Sequence, residues 1–240
     1  MMKRALVTGA TGAIGPAICR ELARHGLHVA VHANKRIEAA ERLAAEIAAA
    51  GGSAETVAFD VTDADATARA LERLLGRGAI QVLVNNAGSH ADAPLPGMTR
   101  AQWHGVVDVN LNGFFNVTQP LLLPMLATRW GRIVSVSSVA ALIGNRGQAN
   151  YAAAKAALHG ATRALALELA TRGVTVNVVA PGVIESPATA KTFPAERVRT
   201  LVPMQRAGTP EEVAALVGFL ASDAASYITA QVIAVGGGLG

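Results

Sequence analysis

Along the chain, short apolar runs alternate with longer stretches in which apolar and polar residues mix. The runs are "RALVT" (4–8), "HVAVH" (28–32), "ETVAF" (55–59), "IQVLV" (80–84), "GRIVSV" (131–136), "VTVNVV" (174–179) and "QVIAV" (231–235). Their length and aliphatic content predict strands. The stretches between them are rich in Ala, Leu, Glu and Arg. One of them, "RIEAAERLAAEIAAAGG" (36–52), closes on a glycine stop and predicts a helix. Strand, helix and strand in repetition predict an α/β domain: a parallel sheet of about seven strands with helices on both faces. No repeat, low-complexity linker or composition break divides residues 1–240, so one domain is expected. The rhythm fails only over 185–209, where Pro187, Pro194, Pro203 and Pro210 punctuate the path to the last strand. An irregular connection of that length is expected to be a lid over a site; the alternative is a plain surface loop.

Composition narrows the class. The chain is 51% hydrophobic but only 4% aromatic, which favours helices packed on a buried sheet over an aromatic-rich all-β module. The single cysteine, Cys19, excludes an internal disulfide and fits a reducing, cytoplasmic compartment. Within "IGPAICREL" it reads as a small buried hydrophobe rather than a reactive thiol. No secretory leader is expected, because the apolar run after "MMKR" is only "ALV". No segment offers about 18 uninterrupted apolar residues, so no membrane span is expected. The net charge of +4 is mild, and aromatics do not interleave with the Lys and Arg residues, which argues against nucleic acid. The excess suits either ordinary solubility or an acidic partner. The six histidines show no metal-ligand spacing, and His90 and His104 read as surface or substrate-loop residues.

The first candidate chemistry is "TGATGAIG" (8–15), directly after the first strand and opening a helix. Glycines there let the backbone approach a pyrophosphate, and the helix N-terminus offers unpaired N–H groups. Gly9, Thr11, Gly12, Ala13, Ile14 and Gly15 are therefore candidate cofactor contacts. At the end of the second strand, NAD-selective sites usually carry an acidic residue for the ribose 2′-hydroxyl. This chain has Ala33 and Asn34, then Lys35 and Arg36. With no carboxylate to repel a 2′-phosphate and two cations nearby, the reading is NADP(H), through Asn34, Lys35 and Arg36. The alternative is that both cations merely solvate the next helix.

Taken together and in order, the motifs resemble the short-chain dehydrogenase/reductase family over essentially the whole chain. "TGATGAIG" resembles its cofactor turn, and "FDVTD" its segment after the third strand, which implies Asp60 and Val61 at the adenine. "NNAG" resembles the end of its fourth strand, implying contacts from Asn86, Ala87 and Gly88. "VNL" supplies Asn110, "SVSS" supplies Ser138, and "YAAAK" supplies Tyr151 and Lys155. "PGVIES" resembles its turn after the sixth strand, with Pro181, Gly182, Ile184 and Ser186 at the cofactor. The resemblance implies a Rossmann-type fold and a catalytic set of Asn110, Ser138, Tyr151 and Lys155.

Residues four apart share a helix face, so Tyr151 and Lys155 point into one cleft. A phenol of pKa near 10 exchanges protons poorly at neutral pH, and a neighbouring ammonium is expected to lower it. By resemblance, Tyr151 gives a proton to a carbonyl oxygen, Ser138 hydrogen-bonds that oxygen, and Lys155 also holds the nicotinamide ribose. Asn110 holds a water leading from Lys155 to solvent. The thirteen-residue spacing to Tyr151 selects Ser138 over Ser135 and Ser137, which are expected to bond backbone.

Within the family, "GNRGQANYAAAKA" and "RGVTVNVVAPGVIES" most resemble β-ketoacyl-acyl carrier protein reductases. That implies NADPH-dependent reduction of a 3-oxoacyl thioester on an acyl carrier protein, in fatty acid, polyketide or aryl-polyene synthesis. By the same resemblance, Arg129 and Arg172 lie near the cleft mouth and dock the carrier; the alternative is two ordinary helix-end cations. In the lid, Lys191, Arg197, Arg199 and Arg206 against Glu196 would also suit an acidic carrier. Several positions depart from the family pattern: Ala13 replaces a glycine, Gly12 an Arg or Ser, and Gly236 an asparagine. Gly12 removes one expected contact to a 2′-phosphate. Ser186 replaces a common Thr and keeps its hydroxyl for the carboxamide. Small residues around the Tyr151 helix and the apolar "GFFNVTQPLLLPML" suggest a homo-oligomer, a tetramer by resemblance, unless they are simply good helix formers. Two other functions stay open: a reductase of free ketones or alcohols, and a non-catalytic NADP-binding sensor.

Overall fold

The computed structural model describes residues 2–240. Seven strands form one parallel sheet: β1 (Arg4–Val7), β2 (His28–Ala33), β3 (Ser53–Ala58), β4 (Val82–Asn85), β5 (Gly131–Val136), β6 (Val174–Pro181) and β7 (Val232–Val235). Their order is β3-β2-β1-β4-β5-β6-β7. The chain winds outward from β1 to β3, then returns to place β4 against β1 and winds the other way. The predicted strands all appear, with ends shifted by a residue or two; β5 matches over its full length.

Alternation along the strands sorts the core into two. Ala5, Val7, Val29, Val31, Val82, Val84, Val134 and Val179 face one side. Leu6, Ala30, Leu83, Ile133 and Val176 face the other. Side chains on a strand point alternately to its two faces, and both faces of the central strands are covered, so apolar residues there lie on both sides. The first side is closed by α1 (Gly15–Arg24), α2 (Ile37–Ala49) and, from the far end of the chain, α10 (Pro210–Leu220). The second is closed by α3 (Ala64–Leu75), α5 (Gly113–Ala127) and α7 (Ala149–Leu169). Short α4 (Arg100–Val107) leads into α5, and α6 (Ala140–Ile143) leads towards α7. Cys19 is buried in α1, and burial pushes its thiol up, so it packs as an inert hydrophobe.

The segment expected to be irregular is partly regular. It folds into α8 (Pro187–Thr192) and α9 (Ala195–Leu201), and Ile184 bridges to Gly208. Its prolines start helices rather than prevent them: Pro187 opens α8 and Pro194 immediately precedes α9. Among the described residues no helix is long and apolar enough to cross a membrane, and no cluster of His, Cys, Asp and Glu is placed to hold a metal.

At the amino ends of β1 to β3, Glu55 gathers two guanidinium groups and an imidazole. Arg4 Nη2 approaches its carboxylate at 2.7 Å and His28 Nε2 at 3.1 Å, and Arg77 pairs with its other oxygen. Arg4 also donates to the Leu74 carbonyl at 2.8 Å, tying β1 and β3 to the end of α3. Burial raises the Glu55 carboxyl, but hydrogen bonds from Arg4 and His28 outweigh it, so it titrates below the ordinary range. A carboxyl lowered in the folded state stabilises above its unfolded pKa and loses that contribution as pH falls through its folded value. Replacing Glu55 with Gln should cost about 1–3 kcal/mol at pH 7, discounted from the fully buried case because Arg77 is exposed. In urea denaturation the gap to the parent should close below about pH 4. A gap that does not change with pH would contradict this.

Candidate active site

Where a doubly wound sheet reverses direction, the segments leaving neighbouring strands diverge and open a crevice at the carboxyl ends. Here that point lies between β1 and β4, and a cleft of roughly 670 Å³ opens there. The turn after β1 contributes Gly9, Thr11, Gly12, Ala13 and Ile14 to its lining. Residues after β2 and β3 contribute Asn34, Lys35 and Arg36, and then Asp60 and Val61. The end of β4 contributes Asn86, Ala87 and Gly88. Ser138, Tyr151 and Lys155 line the next stretch, and Pro181, Gly182, Ile184 and Ser186 complete it. The structure thus brings together nearly every residue singled out from sequence.

The turn is fixed from two sides. Thr8 Oγ1 accepts from the Asn86 and Ala87 amides, both at 3.0 Å, and Asn86 Nδ2 donates to the carbonyls of Thr8 and Gly9 at 2.9 and 3.0 Å. Gly9 takes φ +60°, and a Cβ there would lie 2.8 Å from the Ala87 Cα, so only glycine fits. Beyond the turn, Ile14 precedes α1 without a side-chain cap, leaving first-turn N–H groups for an anion. Ala13 keeps an ordinary negative φ, so its departure from glycine costs nothing in the backbone. Gly15 does not line the cleft. A Cβ on it would meet the Ala10 backbone at 2.6 Å, so its role is the close packing of the helix start against the turn.

Asp60 is held below the ordinary carboxyl range, first by the Thr62 amide and hydroxyl at 2.9 and 2.7 Å, then by the Asn34 side chain and the Lys35 charge. Asn34, Lys35 and Arg36 are exposed at the cleft rim.

The catalytic candidates converge from three elements. Tyr151 and Lys155 lie one turn apart on α7, with Lys155 Nζ 5.8 Å from the Tyr151 ring centre. Lys155 is buried and donates to the Val136 carbonyl at 2.8 Å; burial lowers it to about 8. Tyr151 behaves differently from the expectation of a lowered phenol. Its burial dominates and pushes it up, Ser138 pulls it back, and Asp92 adds to the rise. Ser138 follows β5, and its Oγ accepts from the Ala140 amide at 3.1 Å. Ser137, which also lines the cleft, meets His159 Nε2 at 2.8 Å and donates to the Lys155 carbonyl at 3.2 Å. Ser135 does not bond backbone as expected; its hydroxyl is buried without a partner.

Asn110 reaches this group through a π-helical turn, Asp108–Asn112, between α4 and α5. The wider turn swings it inward, where Nδ2 donates to Ser89 O and Val106 O, both at 2.8 Å. Its Oδ1 is buried without a partner. A Cβ on Gly88 would lie 2.9 Å from that Oδ1 and 3.2 Å from Lys155 Nζ, so Gly88 is the gap across which Asn110 and Lys155 face each other.

Two sets of residues singled out from sequence make local contacts of their own. The Ser186 hydroxyl is engaged in capping α8, accepting from Thr189 N at 2.9 Å and lying 2.8 Å from Thr189 Oγ1. Thr189, which also lines the cleft, was not anticipated. Arg129 and Arg172 are neighbours, since a Cβ on Gly173 would meet the Arg129 carbonyl at 2.5 Å. They precede β5 and β6, however, so they lie at the amino ends of the sheet. At about 3.3 Å per residue that is roughly 20 Å from Ser138 and away from this chain's cleft mouth. Gly236, in place of asparagine, packs its Cα where a Cβ on Gly182 would come within 2.8 Å. A second cavity of roughly 650 Å³ lies under α8 and α9, walled by Phe193, Val198 and Arg199, and shares Ser186 and Thr189 with the first. Of the lid cations, Arg206 is paired with Glu212 at 2.5 Å, and Arg197 lies over the Phe193 ring.

A crevice at the switch point, a glycine turn running into an uncapped helix and a Tyr–Lys pair facing Ser138 describe a dinucleotide-dependent oxidoreductase. A family model described as enoyl-(acyl carrier protein) reductase matches residues 9–240. The chain belongs to the short-chain dehydrogenase/reductase family. It is 43% identical to a 3-oxoacyl-[acyl-carrier-protein] reductase FabG of Aggregatibacter actinomycetemcomitans, over 100% of both chains. It is 45% identical to a 3-oxoacyl-[acyl-carrier-protein] reductase of Synechocystis, over 98% of this chain and 96% of that one. It is 44% identical to the FabG of Thermotoga maritima, over 99% and 97%.

Gly9→Val should abolish saturable dinucleotide binding in a fluorescence titration, because the new side chain meets both the Ala87 backbone and a left-handed φ. Binding equal to the parent would contradict the assignment of this turn.

Proposed function

We propose that this protein reduces 3-oxoacyl thioesters, carried on an acyl carrier protein, to 3-hydroxyacyl thioesters with NADPH. The observation that carries the proposal is the convergence of Tyr151, Ser138 and Lys155 on the cleft, in a chain alike over its full length to reductases so named. The cleft fits the cofactor: uncapped α1 amides for the pyrophosphate, Lys35 and Arg36 beside Asn34 for a 2′-phosphate, and Lys155 for the nicotinamide ribose. When bound, the reduced nicotinamide supplies hydride to the 3-carbon.

The residues supply the rest. Ser138 and Tyr151 both offer O–H donors, which suit a carbonyl oxygen that gains negative charge. Tyr151, kept protonated by burial, donates its proton to that oxygen. Lys155 and Asn110 then restore the phenol's proton from solvent. The apolar cavity under α8 and α9 takes the acyl chain.

The proposal extends to assembly and place. Phe115 and Leu123 on α5 and Leu167 on α7 are 64%, 78% and 83% exposed. They leave large apolar side chains of α5 and α7 in solvent, which a second copy would cover in a homo-oligomer, with a tetramer the expected form. A two-fold axis across these helices runs them antiparallel, which carries one copy's Arg129 and Arg172 towards its partner's cleft. Carrier docking by this pair therefore belongs to the oligomer. A cytoplasmic location fits the lone buried thiol.

Loss of reduced nicotinamide with an acetoacetyl carrier thioester tests the reading. NADPH should be preferred to NADH, and Tyr151→Phe should lower kcat at least about a hundredfold, the scale of a positioned proton donor. Turnover of free ketones alone would favour the free-ketone reductase instead. The rate of reduction should fall above about pH 8, as Lys155 loses the proton that burial makes labile. A flat profile to pH 10 would contradict the role of its charge.

A further inference from the structure

The side of the phosphate turn that faces β2 is held by a histidine. His32 is buried at 1% exposure on β2, and its ring lines the cleft floor. Its Nδ1 lies 3.0 Å from the Gly9 amide, and its Nε2 lies 2.9 Å from the Phe59 carbonyl. The Ala10 amide donates to the His32 backbone carbonyl at 2.9 Å. Two consecutive N–H groups of the turn are thus satisfied by one residue, one by its side chain and one by its main chain. The ring packs on Phe59 with centroids 4.0 Å apart, at the start of the segment that carries Asp60 and Val61.

These contacts dictate one protonation state. An amide only donates, so Nδ1 must accept; a carbonyl only accepts, so Nε2 must carry the hydrogen. Burial keeps the ring neutral, lowering it to about 4 against smaller opposite pulls from the Phe59 carbonyl and from Asp60. The ionisable groups near it are Asp60, after β3, and Lys35, after β2; the turn and the end of β4 present backbone and the amide of Asn86.

We propose that His32 is a positioning residue for the cofactor: its neutral imidazole fixes the Gly9 peptide, and so aims the amides that follow at the dinucleotide. The Gly9 amide is taken up by His32, which leaves the later turn and the first turn of α1 to meet the phosphates. Without the acceptor, a buried N–H is orphaned and the peptide is free to rotate. This inference rests on the cleft being a dinucleotide site and is independent of which substrate is reduced.

The test compares His32→Leu, which fills the space without an acceptor, with His32→Asn, whose Oδ1 can reach the position of Nδ1. NADP⁺ affinity is read by calorimetry, fold stability by thermal melting without ligand, and turn mobility by amide hydrogen exchange over residues 8–14. The expected result is a Kd raised on the order of tenfold or more in the Leu variant, from the loss of one buried hydrogen-bond partner. Exchange should speed up in the turn alone, and Asn should restore most of the affinity. Unchanged affinity in the Leu variant, or an Asn variant as weak as Leu, would overturn the proposal. If the Leu variant fails to fold, ring ¹⁵N spectra of the parent decide. A hydrogen on Nε2 that persists from pH 7 to 5 supports the proposal, and a hydrogen on Nδ1 overturns it. A parent protein that binds neither NADP⁺ nor NAD⁺ would overturn the reading of the cleft itself, a result distinct from a variant that binds as the parent does.

Discussion

A single buried ammonium organises the site. Lys155 is 3% exposed, has the Val136 carbonyl as its hydrogen-bond partner and lies between the ends of β4 and β5. A charge there is costly unless polar groups are arranged round it. The π-turn that delivers Asn110, the absence of a side chain at Gly88 and the partly buried phenol of Tyr151 are all parts of that arrangement. Burial raises Tyr151 and lowers Lys155 to about 8, so the phenol holds its proton more tightly than the ammonium beside it. An acid that holds its proton until a carbonyl oxygen demands it, beside an ammonium that gives up its own near pH 8, is the pairing that proton delivery and resupply require.

The same logic connects site to fold. A parallel sheet sends all its carboxyl ends to one edge, and the reversal between β1 and β4 keeps helices from closing over that edge. Much of the site then follows a strand: the turn after β1, Asn86 to Gly88 after β4, Ser138 after β5 and Pro181 to Ser186 at the end of β6 and beyond, with Tyr151 and Lys155 added from α7. The amino edge carries different features, the Glu55 network and the Arg129–Arg172 pair.

The sequence made much of this legible because strand and helix periods differ and the motifs are punctuated by glycine. Tyr151 and Lys155 were readable from their spacing, and Ser138 from its distance to them. What was not readable depends on tertiary contact. His32 occurs in an unbroken apolar run and gains meaning only when Gly9 folds back against it. Thr189 lies in a segment expected to be irregular, and α8 draws the Ser186 hydroxyl to its own cap. Gly15 resembles a cofactor contact in the one-dimensional motif but serves packing. The raised phenol of Tyr151 reverses the expectation because burial, which spacing does not encode, outweighs the hydrogen bond from Ser138. Arg129 and Arg172 precede their strands, and parallel topology sends them to the edge opposite the cleft.

The relatives are named for carbonyl reduction and the family description for enoyl reduction, which differ in the atom that receives the proton. The most direct measurement is therefore product analysis with NADPH deuterated at the transferred hydrogen, offering an equal mixture of 3-oxobutyryl and crotonyl carrier thioesters. The account predicts deuterium on C3 of a 3-hydroxybutyryl thioester, with the crotonyl thioester recovered unchanged. Deuterium in a saturated butyryl thioester, with the 3-oxo substrate untouched, would contradict it.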